Sequence, residues 1–379
     1  MKKKFWFILG ALVIVLLASI FFVSRNSEKV SSQTIKIGYV DPLTGDAATY
    51  GEPMKNAASM AVEDINNQGG INGKKLDVIY EDSQCTDKGA LTAVQKLVFI
   101  DGVKILDGFT CAGDILATAP VIQQNKILAL APGASGPQVS LAGDYIFQTD
   151  PSATQATNLL AQLISKSYRT VAIVSEESQF ATDIRDYFTK QFESLGGEVV
   201  SSETYAPTTT DFRTLLTKIK ATNPSAIFVN PQTEATGGLF IKQAREMGIT
   251  VQLFGLDTLS GPTTREISGK ASEGLTLVVV PDLDPKNETA QAFLAEYKEK
   301  FGEPPFALYL ASAYDSINII AQAIKNVGED PTKMKDYLYQ MPDYHGAVGT
   351  YHFDQNGDIV GINFGVKKVV NGNLVDVQG

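Results

Sequence analysis

The residues able to do chemistry in this chain gather at the ends of strand-like runs. The loop PLTGDAATYG (42–51) follows IKIGYV, the loop APGASGP (131–137) follows ILAL, and Asp257 closes VQLFGL. In open α/β sheets small ligands bind at that edge, where N–H groups, hydroxyls and carboxylates converge. Enzyme chemistry lacks its usual frames. The two histidines, His345 and His352, both lie near the C-terminal hairpin signal, and neither HExxH nor a Cys/His cluster with zinc spacing occurs. There is no GxSxG elbow for a nucleophile, no GxGxxG in the first βα loop, and no GxxxxGK phosphate loop. DQNGD (354–358) has the opening of a calcium loop but lacks the downstream acid, and a hairpin turn accounts for it. No cofactor and no metal are expected. Asn287-Glu-Thr matches the glycosylation pattern.

The elements that position these groups follow from periodicity. IKIGYV is a β-branched run ending at Asp41–Pro42. Met54, Ala57, Ala58, Ala61, Val62 and Ile65 then form one apolar helical stripe, and Gly69–Gly70 end that helix. LDVIY is the next strand. Strand-like and helix-like runs alternate along the chain, which predicts parallel sheets covered on both faces. IKIGYV, LDVIY, VKILDGF, ILALAPG and YIFQTD form one group; TVAIVS, GEVVSSE, SAIFVN, VQLFGL and GLTLVVV form a second. Two such groups exceed one core, so crossings between lobes are placed near Asp150–Pro151 and Val280–Pro281. Three helices then precede TYHFDQNGDIVGINFGVKKVV, a hairpin signal around Asn-Gly.

The 379 residues are 44 % hydrophobic and 20 % charged, enough for two cores, and the net charge of −10 argues against a nucleic-acid partner. Lys2, Lys3 and Lys4 precede Phe5–Val23, an uncharged apolar run that would span ~28 Å as a helix. Residues 1–23 are therefore expected to be a transmembrane anchor with the domain outside, and 24–33 a polar linker. A cleavable signal peptide is the competing reading, although FFVSRNS offers no good small-x-small site.

The first loop, the DINNQGGINGKKL helix end and the later pair of cysteines resemble the leucine/isoleucine/valine-binding proteins, solute receptors of branched-chain amino acid ABC transporters. More distantly they resemble the ligand domain of metabotropic glutamate receptors. The resemblance runs from about Thr34 to the C-terminus. It implies a type I periplasmic binding protein fold, a venus flytrap of two doubly wound α/β lobes joined by a three-strand hinge. Residues 34–150 and 281–347 would form lobe 1, and 151–280 and 348–379 lobe 2. Such a receptor would act as a monomer, deliver a free amino acid to ABC permease subunits, and be extracytoplasmic.

An even pair in an exported chain reads as a disulfide, here Cys85–Cys111, with two free buried thiols as the alternative. Both cysteines are expected at one edge of adjacent strands. The resemblance also assigns the site. A free amino acid needs acceptors for its ammonium and N–H or hydroxyl donors for its carboxylate. In the loop Gly133–Ala134–Ser135, the Gly133 carbonyl would take the ammonium, and the Ser135 hydroxyl and N–H would sit at the charged end. Asp257 would meet the ammonium from the opposite lobe, so that it pairs only when the cleft shuts; capping of the next segment is its bland alternative. Tyr50, in the first loop, would pack on the ligand side chain. Three positions depart from the family. Phe180 stands where many relatives have Tyr, Ala112 replaces a Ser used on the carboxylate, and Thr233 lies where relatives have an aromatic. These departures leave a leucine-like ligand, another amino acid or an amide open. A sensing domain that signals rather than transports, and an enzyme on the same scaffold, are the rivals.

Overall fold

A computed structural model describes residues 34–377. The expected anchor (1–23) and linker (24–33) lie outside the described residues, among which no helix is long and apolar enough to cross a membrane.

The chain opens with Ile35–Asp41 (β1), Ala48–Asn67 (α1), Leu76–Asp82 (β2), Asp87–Phe99 (α2), Ile105–Gly108 (β3), Ala112–Asn125 (α3), Leu128–Ala131 (β4) and Ile146–Pro151 (β5). After Pro151 it enters a second unit: Ala153–Ser165 (α4), Thr170–Glu176 (β6), Gln179–Ser194 (α5), Glu198–Tyr205 (β7), Arg213–Ala221 (α6), Ala226–Asn230 (β8), Glu234–Glu246 (α7), Gln252–Gly255 (β9), Pro262–Ser268 (α8) and Thr276–Val279 (β10). It then returns with Glu288–Phe301 (α9), Ala307–Val327 (α10) and Pro331–Gln340 (α11). The last strands are Tyr344–His345 (β11), Thr350–Phe353 (β12), Asp358–Val360 (β13), Gly365–Val370 (β14) and Asn373–Asp376 (β15).

Two sheets result, ordered β11-β12-β13-β5-β4-β3-β1-β2 and β15-β14-β10-β9-β8-β6-β7. Each has apolar cores on both faces, as strands buried from both sides require. α10 is apolar nearly all round because it lies between α1 and the first sheet. Its one inward acid, Asp315, accepts the N–H groups of Ala347 (2.8 Å) and Val348 (2.9 Å) and so ties the returning chain to the lobe. α1 buries Met54, Ala57, Ala58 and Ala61 as the stripe predicts, and Gly70 ends the helix turn at φ +78°, where a Cβ would strike the Lys74 carbonyl.

The first two crossings fall where the sequence places them, after Pro151 and after Val279. The third does not. β12 and β13 form the expected hairpin, but β13 pairs in parallel with β5 of the first sheet (Asp358 with Gln148), so residues 350–360 belong to the first lobe. Only β14 and β15 join the second sheet, placing the crossing between Val360 and Gly365 rather than at 347. Cys85 and Cys111 are bridged, with Cα atoms 5.6 Å apart. The strands they follow are not neighbours as expected: β1 lies between β2 and β3, and the bridge spans its end. Asn287, offered by the glycosylation pattern, is an N-cap: its side-chain oxygen accepts from Thr289 and Ala290, and its amide donates to Gly346.

Candidate functional site

The facing ends of the two sheets enclose a cavity of about 140 Å³ lined from both lobes. The first lobe contributes strand ends and helix starts. Tyr50 borders the cavity from the first turn of α1, as the third residue of the helix rather than in the loop before it. Its ring lies 4.9 Å from that of Phe306, and its hydroxyl faces the backbone N–H of Glu234 in the second lobe. Burial, with Glu234, Asp257 and Glu176 nearby, pushes its phenol up to about 12. Tyr50 therefore stays neutral and can bridge the two lobes.

Ala112 starts α3 at the wall, bringing N–H groups but no hydroxyl. Gly133 and Ser135 also line the cavity. A Cβ at Gly133 would lie 3.0 Å from Met54 Cε and 3.1 Å from Thr110 Cα, so this wall is tightly packed. Ala134 is the exception among the expected residues: 1 % exposed, it packs into the core beneath α2 and α3 and does not border the cavity. With its two neighbours facing the cleft, its methyl has only the core side left.

From the second lobe come Phe180, Thr233 and Asp257. Phe180 packs against cores of both lobes, a hydrophobic contact across the mouth. Thr233 is the N-cap residue of α7 but makes no side-chain capping bond; its hydroxyl lies 3.3 Å from that of Thr236. Asp257 begins a short helical turn after β9 and does not cap it. Its Oδ1 accepts the Val280 N–H at 3.3 Å, and the Tyr309 hydroxyl of the first lobe faces it. Burial raises its acid to about 6, against the opposing pull of Tyr309 and Val280, so at neutral pH it is ionised. It is the only charged side chain bordering the cavity, and no Lys, Arg or His does so among the described residues. The site therefore offers one negative charge in an apolar, aromatic enclosure. A cationic group can be paired there; an unaccompanied anion has only N–H and hydroxyl donors to meet it.

Sequence reasoning missed Phe306, Tyr309 and Leu310, which arrive from the start of α10, and Phe364, from the third crossing. A signal was present for Phe306 only in its setting, after Pro304–Pro305 and before a helix. It holds a left-handed backbone (φ 50°), uncommon for a residue with a side chain, and this aims its ring at Tyr50.

A family model described as periplasmic binding protein matches residues 34–362. The leucine-, isoleucine-, valine-, threonine- and alanine-binding protein of Pseudomonas aeruginosa is 28 % identical over 93 % of this chain and 94 % of its own. Among solved structures, the branched-chain amino acid transporter substrate-binding protein of Streptococcus pneumoniae, in complex with isoleucine, is 26 % identical with a TM-score of 0.78, covering 91 % of this chain and all of that one. A solute-binding protein of an ABC transporter from Rhodopseudomonas palustris, in complex with 3,4-dihydroxybenzoic acid, is 25 % identical with a TM-score of 0.76, covering 91 % and 96 %.

Proposed function

The chain belongs to the periplasmic binding protein family, and on that premise we propose that it is the extracytoplasmic receptor of an ABC importer, closing on a free amino acid with an apolar side chain. Binding, lobe closure and docking on permease subunits would be the whole mechanism, with no bond made or broken. Asp257 carries the reading: a lone carboxylate from one lobe, in a cavity without a basic side chain, suits a ligand bearing an ammonium group. Tyr50, Phe180 and Phe306 suit an apolar side chain beside it. The N–H groups at the start of α3 and the Ser135 loop suit the carboxylate. The isoleucine-bound relative supports this ligand class.

The dihydroxybenzoate-bound relative supports a second reading, an aromatic acid. Asp257 opposes it, because such a ligand brings a negative charge and no amine. Phe5–Val23 would hold the receptor at the membrane, and fractionation tests this: an N-terminus beyond residue 20 in a wholly soluble protein removes the anchor. Sensing through a membrane partner is the alternative to transport. Unchanged uptake of the ligand after deletion of the gene would favour it.

A thermal-shift screen decides the ligand class. Leucine, isoleucine or valine at a hundredfold excess over Kd should stabilise the protein by ~2.7 kcal/mol. 4-Methylpentanoate, which is leucine without its amine, and 3,4-dihydroxybenzoate should not. Stabilisation by the two acids but by no amino acid overturns the proposal.

A further inference from the structure

Asp150, next to last in β5 and beside the first crossing, does not border the cavity. It is 0 % exposed, and neither carboxyl oxygen has a hydrogen-bond partner. The groups facing it can be named element by element. Ser135 presents its hydroxyl from the loop after β4, and Asp358 adds a like charge from β13. Tyr309 of α10 lies within electrostatic reach of both Asp150 and Asp257. No cation is among these groups. An ionised carboxylate here would have neither a counter-charge nor enough donors, so the neutral acid is the stable form. Burial above all, and Asp358, push it up to about 8, while Ser135 pulls the other way.

A neutral acid carries a proton that needs an acceptor, and Ser135 Oγ, the neighbour placed to hydrogen-bond with it, also borders the cavity. We propose that Asp150 is a positioning residue: it donates its proton to Ser135 Oγ and thereby turns the Ser135 hydroxyl hydrogen into the cleft. Ser135 then serves as a donor, and the ligand group opposite it is an acceptor, a carboxylate or an amide carbonyl. When Asp150 ionises, the hydroxyl hydrogen turns back toward the carboxylate and Ser135 offers the ligand lone pairs only. The inference rests on the proposed amino-acid reading for its ligand, but not for the internal Asp150–Ser135 pairing.

The sign follows from the raised acid. Folding takes up a proton at Asp150, so the stability it provides is complete below the ordinary carboxylate range and is lost as pH rises through about 8. Binding of a carboxylate at Ser135 weakens over the same upper range. The test compares full-length wild type, Asp150→Asn and Ser135→Ala from pH 6 to 9, reading ligand-free unfolding temperature and leucine affinity by calorimetry. Wild type should lose about tenfold in affinity between pH 7 and 9, the swing expected of one group titrating near 8. Asp150→Asn, whose amide always donates, should hold its pH 7 affinity and lose that slope. Ser135→Ala should bind more weakly at every pH, also without the slope, which keeps the test decisive if the Asn variant does not fold. A slope shared by wild type and both variants overturns the proposal. If leucine binds none of the three proteins, the receptor reading fails instead, and the ligand-free arm decides alone. There the unfolding temperature of wild type should fall toward pH 9 and that of Asp150→Asn should not; parallel curves overturn the positioning role.

Discussion

The first lobe meets the cleft with a wall whose groups are already engaged, and the second lobe meets it with a charge. On the first side the Thr110 N–H is held by Asp41 at 3.0 Å, the Thr110 hydroxyl rests on Met54 sulfur at 3.2 Å, and the disulfide pins the end of β1. On the second side the Glu176 carboxylate is taken up by the Gln232 N–H (3.1 Å) and the Thr236 hydroxyl (2.6 Å), but Asp257 has one long bond to Val280, with the Ser260 hydroxyl of its own lobe and the Tyr309 hydroxyl across the gap facing it. The difference assigns the two lobes different work. A preorganised wall fixes where a ligand sits, and a charge that is fully paired only across the gap makes closure depend on the ligand, as ligand-driven closure requires.

Breaking the first side should have the largest effect. Replacing both cysteines by serine is expected to cost ~3–4 kcal/mol of stability in urea unfolding, the range for a closed loop of this size. A loss below ~1 kcal/mol would show that the wall is stiff without its bridge. Breaking the second side should leave the fold alone. Asp257→Ala should weaken leucine binding by ~2–4 kcal/mol with little change in unfolding midpoint, because a buried ammonium loses its counter-charge. Unchanged affinity would mean that the amine is held elsewhere.

The same contrast can be read with pH. Asp257, near 6 in the ligand-free cleft, must be ionised to pair with an ammonium. Lowering the pH from 7 to 5 should therefore weaken leucine binding by about tenfold, as one carboxylate is neutralised. Calorimetry showing a flat profile over that range would separate the charge from binding. The smallest effect is expected at the contact joining the two sides. Tyr50→Phe removes the hydroxyl that faces the Glu234 N–H across the cleft and should cost ~0.5–1.5 kcal/mol of ligand affinity, with stability unchanged. An equal loss in the ligand-free protein would make that bond structural instead.

Local periodicity made most of the fold legible. The α1 stripe, the Gly69–Gly70 stop and the alternation of strands with helices are short-range patterns, and they carry the two lobes and the first two crossings. The placement of β12 and β13 was not legible. Alternation marks a segment as a strand but does not say which sheet completes it, and the deciding contact is Asp358 with Gln148, far apart in sequence. The disulfide was readable from two cysteines in an exported chain, whereas the strand lying between their attachment points was not.

Tyr50, Ala112, Gly133, Ser135, Phe180, Thr233 and Asp257 follow strands or begin helices, and it was the family resemblance that offered them as a set. Ala134 shared that signal and faces the core. Phe306 gave a signal only through the prolines before it, and Tyr309 and Leu310 gave none, because an apolar residue at the start of an apolar helix looks like core until another element leaves a gap beside it. Asp150 was visible only as the end of a strand. Its neutrality depends on burial and on Asp358 arriving from another element, with no cation beside it to offset them. Order along the chain thus determined which groups stand at sheet edges, since that depends on periods of two and 3.6 residues. Which of them share one cavity, and which acids keep their protons, was decided by packing, because desolvation and pairing belong to neighbours that meet only once the chain is folded.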